Sequence, residues 1–157
     1  MKIFKFLAVG AVSFGMLNLV SCSSKTESLT DDIMDELADV TEILNEDCKN
    51  WEDTQDVAED LNDIADNLHE IYLDLKKDRR KYEDEYLGMT PAELKEIEKN
   101  MEDDHKETMK EYMEAREKFE KNKDVNKSAS VRHALQRIDS EFRAIGKIMN
   151  DIEDCCD

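Results

Sequence analysis

The sequence contains little that would support a β-sheet fold. It has one proline and four glycines among 157 residues, and no stretch shows the alternation of apolar and polar residues that is typical of a half-buried strand. It also lacks an internal repeat. Apolar residues recur instead at helical spacing along most of the chain. The sequence therefore predicts an all-α protein.

Basic residues are scarce, and this deficit excludes one class of partner. The chain has 40 acidic and 22 basic residues, and residues 27–75 hold 18 of the acids but a single base, Lys49. Nucleic acid is not an expected partner, because phosphate binding depends on Lys and Arg. Two interpretations of the acidic segment stay open: a solvated face that keeps the protein soluble, or a surface for a basic protein partner or divalent cations.

The sequence also lacks the arrangements that an enzyme or a cofactor site would need. It has no CxxC or CxxCH motif, no Cys/His cluster, no phosphate loop and no Ser/His/Asp arrangement. Paired catalytic carboxylates cannot be identified among so many acids. We therefore expect a protein that is not an enzyme and that has no cofactor apart from covalent lipid.

Two short fragments resemble a metal-binding pattern. Asp66 to His69 and Glu102 to His105 each have acid-x-x-His spacing, which resembles the Glu-x-x-His elements of ferritin-like di-iron bundles. The resemblance covers these two fragments only and makes the four residues candidate metal ligands. We expect exposed or rim histidines and no metal, because a full set of inward-facing carboxylates is not visible.

The N-terminal residues have the pattern of a secretory signal peptide. Lys2 and Lys5 supply positive charge, and residues 6–17 form a mostly apolar run. This run is shorter than the about 20 apolar residues that a membrane-spanning helix requires. We expect residues 1–21 to be cleaved, which would leave a chain without a transmembrane segment.

Leu19-Val20-Ser21-Cys22 follows this run and resembles the lipobox of bacterial lipoproteins. The resemblance covers residues 1–22 and implies that Cys22 becomes the N-terminus and carries covalent lipid, such as palmitate. Two acyl chains anchor a protein stably, at about 0.8 kcal/mol per buried methylene group. The resemblance implies a lipid-anchored protein of the cell envelope, and Ser23 implies outer-membrane sorting if the cell has an outer membrane.

The chain after Cys22 is expected to form one helical domain on a short tether. Residues 22–29 are polar and lack apolar periodicity, which predicts a flexible tether. After Gly88, Thr90-Pro91-Ala92-Glu93 has an N-cap, a first-turn proline and a capping-box glutamate, which predicts a turn followed by a helix. The acidic helical domain is expected over residues 30–157, with helices at about 30–87, 91–121 and 128–155.

These lengths predict an antiparallel three-helix bundle with a long first helix. Its apolar heptad frame lapses at Asp47 and Thr54, so a break near 46–54 is the alternative to a continuous helix. Residues 30–50 would then project as a stalk or fold back as a fourth helix. The stripe of the last helix is the most regular of the three, and it comprises Val131, Leu135, Ile138, Phe142, Ile145, Met149 and Ile152.

Three cysteines remain if Cys22 carries lipid: Cys48, Cys155 and Cys156. An up-down-up bundle would place Cys48 far from the C-terminal pair, whereas a disulfide needs Cα atoms within about 7 Å. Free thiols, a vicinal Cys155–Cys156 bond, an intermolecular bond in a homo-oligomer and a fold-back of the stalk all stay open.

The helix start at Met89-Thr90-Pro91-Ala92-Glu93-Leu94 resembles the Leu-Thr-x-x-Gln helix starts of small periplasmic chaperones of the Spy and CpxP type. This resemblance implies an alternative function, as an envelope chaperone or a metal-responsive helical protein. Glu93 stands where that pattern has Gln, and helix capping also explains the motif. The function we favour is a lipid-anchored spacer or protein-interaction module in the bacterial envelope, with partner contact through the acidic first helix.

Overall fold

Helices make up nearly all of the chain that the structure describes. The computed structural model describes residues 24–45, 51–122 and 128–154, with side chains over 29–45, 54–92, 106–122 and 128–152. These residues form four helices: α1 (Ser24–Asn45), α2 (Trp51–Leu87), α3 (Pro91–Lys121) and α4 (Ala129–Asp154). The all-α prediction is confirmed for these ranges.

The long first helix of the predicted bundle is divided in the structure. α1 ends at Asn45 and α2 begins at Trp51, so a single helix over about 30–87, and the three-helix bundle based on it, are not confirmed. The division falls near Asp47, where the apolar frame lapses, and a helix segment without an apolar seam gains little stability from packing. α1 contacts both α2 and α3, so it folds back as a fourth helix and does not project as a stalk.

The remaining boundaries agree closely with the prediction. α3 covers Pro91–Lys121 and α4 covers Ala129–Asp154, each within one residue of the expected ends. Ser128 caps α4, because its Oγ accepts a hydrogen bond from the Val131 N–H at 3.4 Å. The expected tether is shorter than predicted, because α1 begins at Ser24 and Leu29 is already buried.

The helices are arranged around the bundle in the order α1, α2, α4, α3. Extensive contacts join α1 to α2, α2 to α4 and α1 to α3, and the Arg116–Asp139 ion pair joins α3 to α4. α2 and α4 run parallel, because the residues that bond across them lie 71 to 75 positions apart. Parallel neighbours arise because α3 returns the chain to the starting end before α4 begins.

α1 runs antiparallel to α2. Glu36 bonds Asn67 near the middle of both helices, and the link from Asn45 to Trp51 is too short for a parallel arrangement. A parallel α2 would place Trp51 about 37 Å from Asn45 at 1.5 Å per residue, whereas six residue steps span at most about 21 Å.

The hydrophobic core follows the predicted stripes. All seven stripe positions of α4 are buried, from Val131 to Ile152. α2 contributes one leucine per heptad at Leu61, Leu68 and Leu75, each without exposed surface, and also buries Val57, Ala58, Ile64 and Ala65. α3 adds the buried residues Tyr112, Ala115 and Phe119.

α1 packs into this core against an unfavourable charge pattern. Its buried apolar residues are Leu29, Ile33, Met34, Leu37, Val40 and Leu44. Full burial of a side chain of this kind stabilises the fold by about 1.5–3 kcal/mol. Like-charged neighbours such as Asp31 and Asp35 cost only a few tenths of a kcal/mol per pair. Apolar burial therefore decides the position of α1.

Candidate functional site

The exposed charge on residues 29–45 of α1 and on residues 54–75 of α2 is entirely acidic. Residues 29–45 and 54–75 contain 13 acids and no Lys or Arg. We define the acidic surface as the twelve of these carboxylates that are exposed: Asp31, Asp32, Asp35, Asp39, Glu42, Asp56, Glu59, Asp60, Asp63, Asp66, Glu70 and Asp74. Because α1 lies against α2, the two sets of charges are neighbours in space.

The described side chains of the other two helices have balanced charge. Residues 106–121 of α3 contain five acids and five bases, and residues 129–152 of α4 contain three acids and four bases. Within α3, Lys121 pairs with Glu117 at 2.5 Å and Lys110 with Glu114 at 3.8 Å. Such pairs between exposed side chains contribute little to stability. Because the two charges of each pair cancel, they produce no net electrostatic field. The acidic surface therefore gives the bundle one strongly negative side.

Glu36 is the carboxyl that is most affected by this surface. Burial raises its pKa, a hydrogen bond with Asn67 lowers it, and the nearby charges of Asp39, Asp35 and Asp32 raise it further. The net shift is upward, and the Oε2 atom is buried without a hydrogen-bond partner among the described residues. Glu36 is therefore a partly buried carboxyl at the edge of the core that the acids of the acidic surface repel.

Cross-helix polar contacts line the boundary between α2 and α4, which we call the α2–α4 seam. Arg137 donates to Asn62 Oδ1 at 2.6 Å and also to Asp66. His69 Nδ1 lies 3.2 Å from a carboxylate oxygen of Glu141. At the end of the seam, Arg79 donates to Glu83 at 2.6 Å and contacts Asp151 on α4.

These contacts account for two of the four candidate metal ligands. Asp66 accepts the hydrogen bond from Arg137, and His69 pairs with Glu141, so each belongs to the α2–α4 seam. Glu102 and His105 lie in α3, but their side chains fall outside the described residues. Among the side chains that the structure describes, no group of three or more His, Cys, Asp or Glu residues could hold a metal ion.

A second polar cluster, which the sequence patterns did not reveal, lies where α3 meets α4. Arg116 Nη2 donates to Asp139 Oδ2 at 3.0 Å, and only 20% and 15% of the two side chains are exposed. Burial raises the pKa of the neighbouring Tyr112 to about 12, so its phenol stays neutral at physiological pH. Tyr112 Oη, Arg116 Nη1 and Asp139 Oδ1 are buried without a partner in the described part of the chain.

Sequence reasoning missed this cluster because only one of its members carries a signal. Tyr112 lies on the predicted apolar side of α3, and Arg116 follows it by one helical turn. Asp139 directly follows Ile138 of the α4 stripe, but nothing in either pattern pairs it with Arg116. A phenol that stays neutral at physiological pH is not suited to proton transfer near neutral pH.

The predicted lipidation and thiol sites all lie outside the described residues: Cys22, Cys48, Cys155 and Cys156. The helices that precede Cys48 and Cys155 nevertheless end at opposite ends of the bundle. Cys48 follows Asn45, which meets Lys118 of α3 at 3.5 Å. Cys155 follows Asp154 at the opposite end of the bundle, where Asp151 meets Arg79. The lipidation of Cys22 and the state of the three other thiols stay predictions.

The described helices do not include one that is long and apolar enough to cross a bilayer. Comparison of the chain with family models, with curated proteins and with solved structures finds no match.

Proposed function

We propose that this protein is a lipid-anchored interaction module of the bacterial cell envelope, held to a membrane by acyl chains on Cys22 and binding a basic protein partner through the acidic surface. In this proposal it is not an enzyme. The helical bundle acts as the spacer that holds the acidic surface at a distance from the membrane. The placement in the envelope follows from the lipobox-like residues that end at Cys22.

The observation that supports partner binding is the separation of charge within one bundle. The twelve exposed carboxylates of the acidic surface lie on α1 and α2, while residues 106–121 of α3 and residues 129–152 of α4 are close to neutral. The first half of α3, residues 91–105, carries six acids and two bases. A uniform solvating coat would be spread over all four helices. A one-sided negative field attracts a basic partner and orients it during encounter.

The anchor is tested by fractionation of cells that produce the wild-type chain or Cys22→Ser. We expect wild-type protein in the membrane fraction, with the mass of the acylated form, and the variant in the soluble fraction. Ser21→Ala changes the neighbouring residue to one that lipoboxes accept, so it is the control and should stay membrane-bound. A Cys22→Ser protein that still sediments with membranes would refute the anchor.

Partner binding is tested by crosslinking in intact cells with matched neutralising variants. Asp31→Asn/Asp35→Asn/Asp39→Asn removes three charges from the acidic surface. Glu107→Gln/Glu111→Gln/Glu114→Gln removes three exposed charges from α3. We expect a basic protein to be crosslinked by the wild type and the α3 variant, with a several-fold loss in the α1 variant. An equal loss of crosslinking in both variants would contradict the proposed surface, as would equal crosslinking without loss in either variant.

A further inference from the structure

α2 and α3 continue past the ends of their neighbours at one end of the bundle. Arg79 contacts Asp151, which places the last residue of α4, Asp154, level with about residue 82 of α2. Leu87 therefore lies about 7 Å beyond the end of α4, at 1.5 Å per residue.

α1 also stops short of this end. Its antiparallel contact between Glu36 and Asn67 places Ser24 level with about residue 79, so that Leu87 lies about 12 Å beyond the start of α1. The contact between Asn45 and Lys118 likewise places Pro91, the start of α3, about 9 Å beyond the start of α1. We call residues 83–92 the hairpin tip.

The hairpin tip is closed by a tight turn and exposes apolar surface. The Gly88 N–H donates to Glu85 O at 3.1 Å and the Met89 N–H donates to Tyr86 O at 3.2 Å. A Cβ at Gly88 would lie 3.3 Å from Glu85 O, so glycine suits this close approach. Leu87 is 62% exposed, more than any other large hydrophobic residue that the structure describes.

The basic residues of α2 lie next to the hairpin tip. Residues 54–75 carry seven acids and no Lys or Arg, whereas residues 76–81 carry five bases and one acid. The hairpin tip itself carries three acids, Glu83, Asp84 and Glu85, and no base. Over residues 76–92 the bases outnumber the acids by five to four, so an anionic lipid surface repels this end less than it repels the rest of α1 and α2.

The predicted anchor lies at the same end as the hairpin tip. Cys22 precedes Ser24 by two residues, which span at most about 7 Å when extended. This reach is shorter than the overhang of about 12 Å beyond Ser24. With Cys22 held at the bilayer and the bundle axis along the membrane normal, the hairpin tip therefore reaches the membrane surface.

We infer that the hairpin tip is a second membrane contact, in which Leu87 enters the headgroup region of the bilayer that holds the lipid on Cys22. This inference rests on the proposed lipid anchor. Anchor and tip together give two points of attachment. They orient the long axis of the bundle away from the membrane and present the acidic surface to the envelope space.

The test uses tryptophan fluorescence in the acylated full-length protein. Trp51 is the only tryptophan and begins α2 at the far end, so Trp51→Phe gives a silent background. Leu87→Trp then places a probe at the hairpin tip. Leu73→Trp is the matched control, because Leu73 is also exposed, at 48%, on the same helix. Circular dichroism establishes that each variant keeps its helix content.

Each acylated variant is incorporated into phosphatidylcholine vesicles with or without bromine on the upper acyl chains. We expect brominated lipid to lower the fluorescence of the Leu87→Trp variant by about twofold or more, because interfacial tryptophan lies within reach of these chains. The Leu73→Trp variant should lose much less. Equal fluorescence of the Leu87→Trp variant in both lipids would overturn the inference, as would quenching of the Leu73→Trp variant to the same extent.

Vesicle flotation and the mass of the protein separate the two ways in which the idea can fail. Leu87→Trp protein that is acylated and floats with vesicles, but whose fluorescence is not quenched, refutes the tip contact and leaves the anchor intact. Self-crosslinking of such floating protein at the tip would assign Leu87 to a contact between copies of the chain. Absence of acylation would refute the proposed anchor and the inference with it.

Discussion

The α2–α4 seam and the contact between α1 and α2 use charge in opposite ways. Across the α2–α4 seam, Arg137 bonds Asp66, and Glu141 lies beside His69. At the contact of α1 with α2, which we call the α1–α2 seam, Glu36 bonds the neutral side chain of Asn67 and is repelled by the nearby acids Asp39, Asp35 and Asp32 of its own helix. Apolar burial holds both seams together, but at the α1–α2 seam it acts against electrostatic repulsion.

This difference suggests a division of labour within the bundle. α2 and α4 form the part of the bundle whose stability depends little on conditions, which we call the constant part, because their polar contacts and their apolar contacts favour the same arrangement. The stability of α1 depends on salt, pH and any basic molecule near the acidic surface, since each reduces the repulsion. A basic partner would strengthen the docking of α1 as it binds, and α1 is also the helix next to the proposed anchor.

The largest expected effect comes from a cavity in α4. Phe142 has no exposed surface, and Phe142→Ala should lower the free energy of unfolding by about 3–5 kcal/mol. Chemical denaturation followed by circular dichroism measures this change. Arg143→Ala, at the exposed neighbouring position, should change stability by less than about 0.5 kcal/mol. If both variants lose similarly little stability, α4 does not belong to the constant part of the bundle.

A matched pair of leucine substitutions compares the two seams directly. Leu37 of α1 and Leu135 of α4 are both buried, at 0% and 4% exposure. Leu37→Ala should weaken the docking of α1 by about 2–3 kcal/mol, and amide hydrogen exchange should show loss of protection in α1 with α2 and α4 still protected. Leu135→Ala should reduce protection in every helix. If Leu37→Ala also does so, α1 unfolds together with the rest of the bundle and the division is wrong.

The features that sequence reasoning predicted well are those contained within one element. The α4 stripe needs only the three-and-four spacing from Val131 to Ile152, and every position of it is buried. The start of α3 needs only the local sequence around Pro91. Periodicity and helix capping act over one or two turns, so a single segment of sequence carries the whole signal.

The features that it could not predict depend on which helices become neighbours. Apolar stripes of similar width pack against one another in several orders, and nothing in the α4 stripe specifies α2 as its parallel neighbour. Asp66 and His69 resembled half of a metal site because their partners, Arg137 and Glu141, lie more than 70 positions away. For the same reason the Arg116–Asp139 pair was invisible until α3 and α4 were placed together.

Loss of the charged contact in the α2–α4 seam should have a smaller effect than either leucine substitution. Arg137→Gln removes the ion pair with Asp66 but keeps a polar side chain near Asn62. The two charged side chains are 38% and 67% exposed, so solvent screens the pair and the expected loss is about 0.5–1 kcal/mol. A double-mutant cycle with Asp66→Asn isolates this coupling, and Arg132→Gln at an exposed position is the control. A coupling near zero would mean that the Arg137–Asp66 ion pair adds nothing measurable to the other contacts of the α2–α4 seam.

The smallest expected effect tests the α1–α2 seam, and its sign is opposite. Burial and the neighbouring acids raise the pKa of Glu36 above its ordinary value of 4.5, so the folded protein favours the protonated carboxyl more strongly than the unfolded chain does. The associated stability is fully present below the unfolded pKa and is lost as the pH rises through the folded pKa.

At pH 7 and low salt, Glu36→Gln should therefore stabilise the protein by a few tenths of a kcal/mol, as removal of one repelled charge does. The gain should disappear as the pH falls through the raised pKa of Glu36 and below its ordinary value, because the wild-type carboxyl is then neutral in the folded and the unfolded protein. Denaturation curves across this pH range measure the effect, and Glu42→Gln, which removes an exposed charge from the same helix, should give a smaller gain. If Glu36→Gln destabilises the protein at pH 7, the hydrogen bond to Asn67 outweighs burial and repulsion together, and the α1–α2 seam has a favourable polar contact after all.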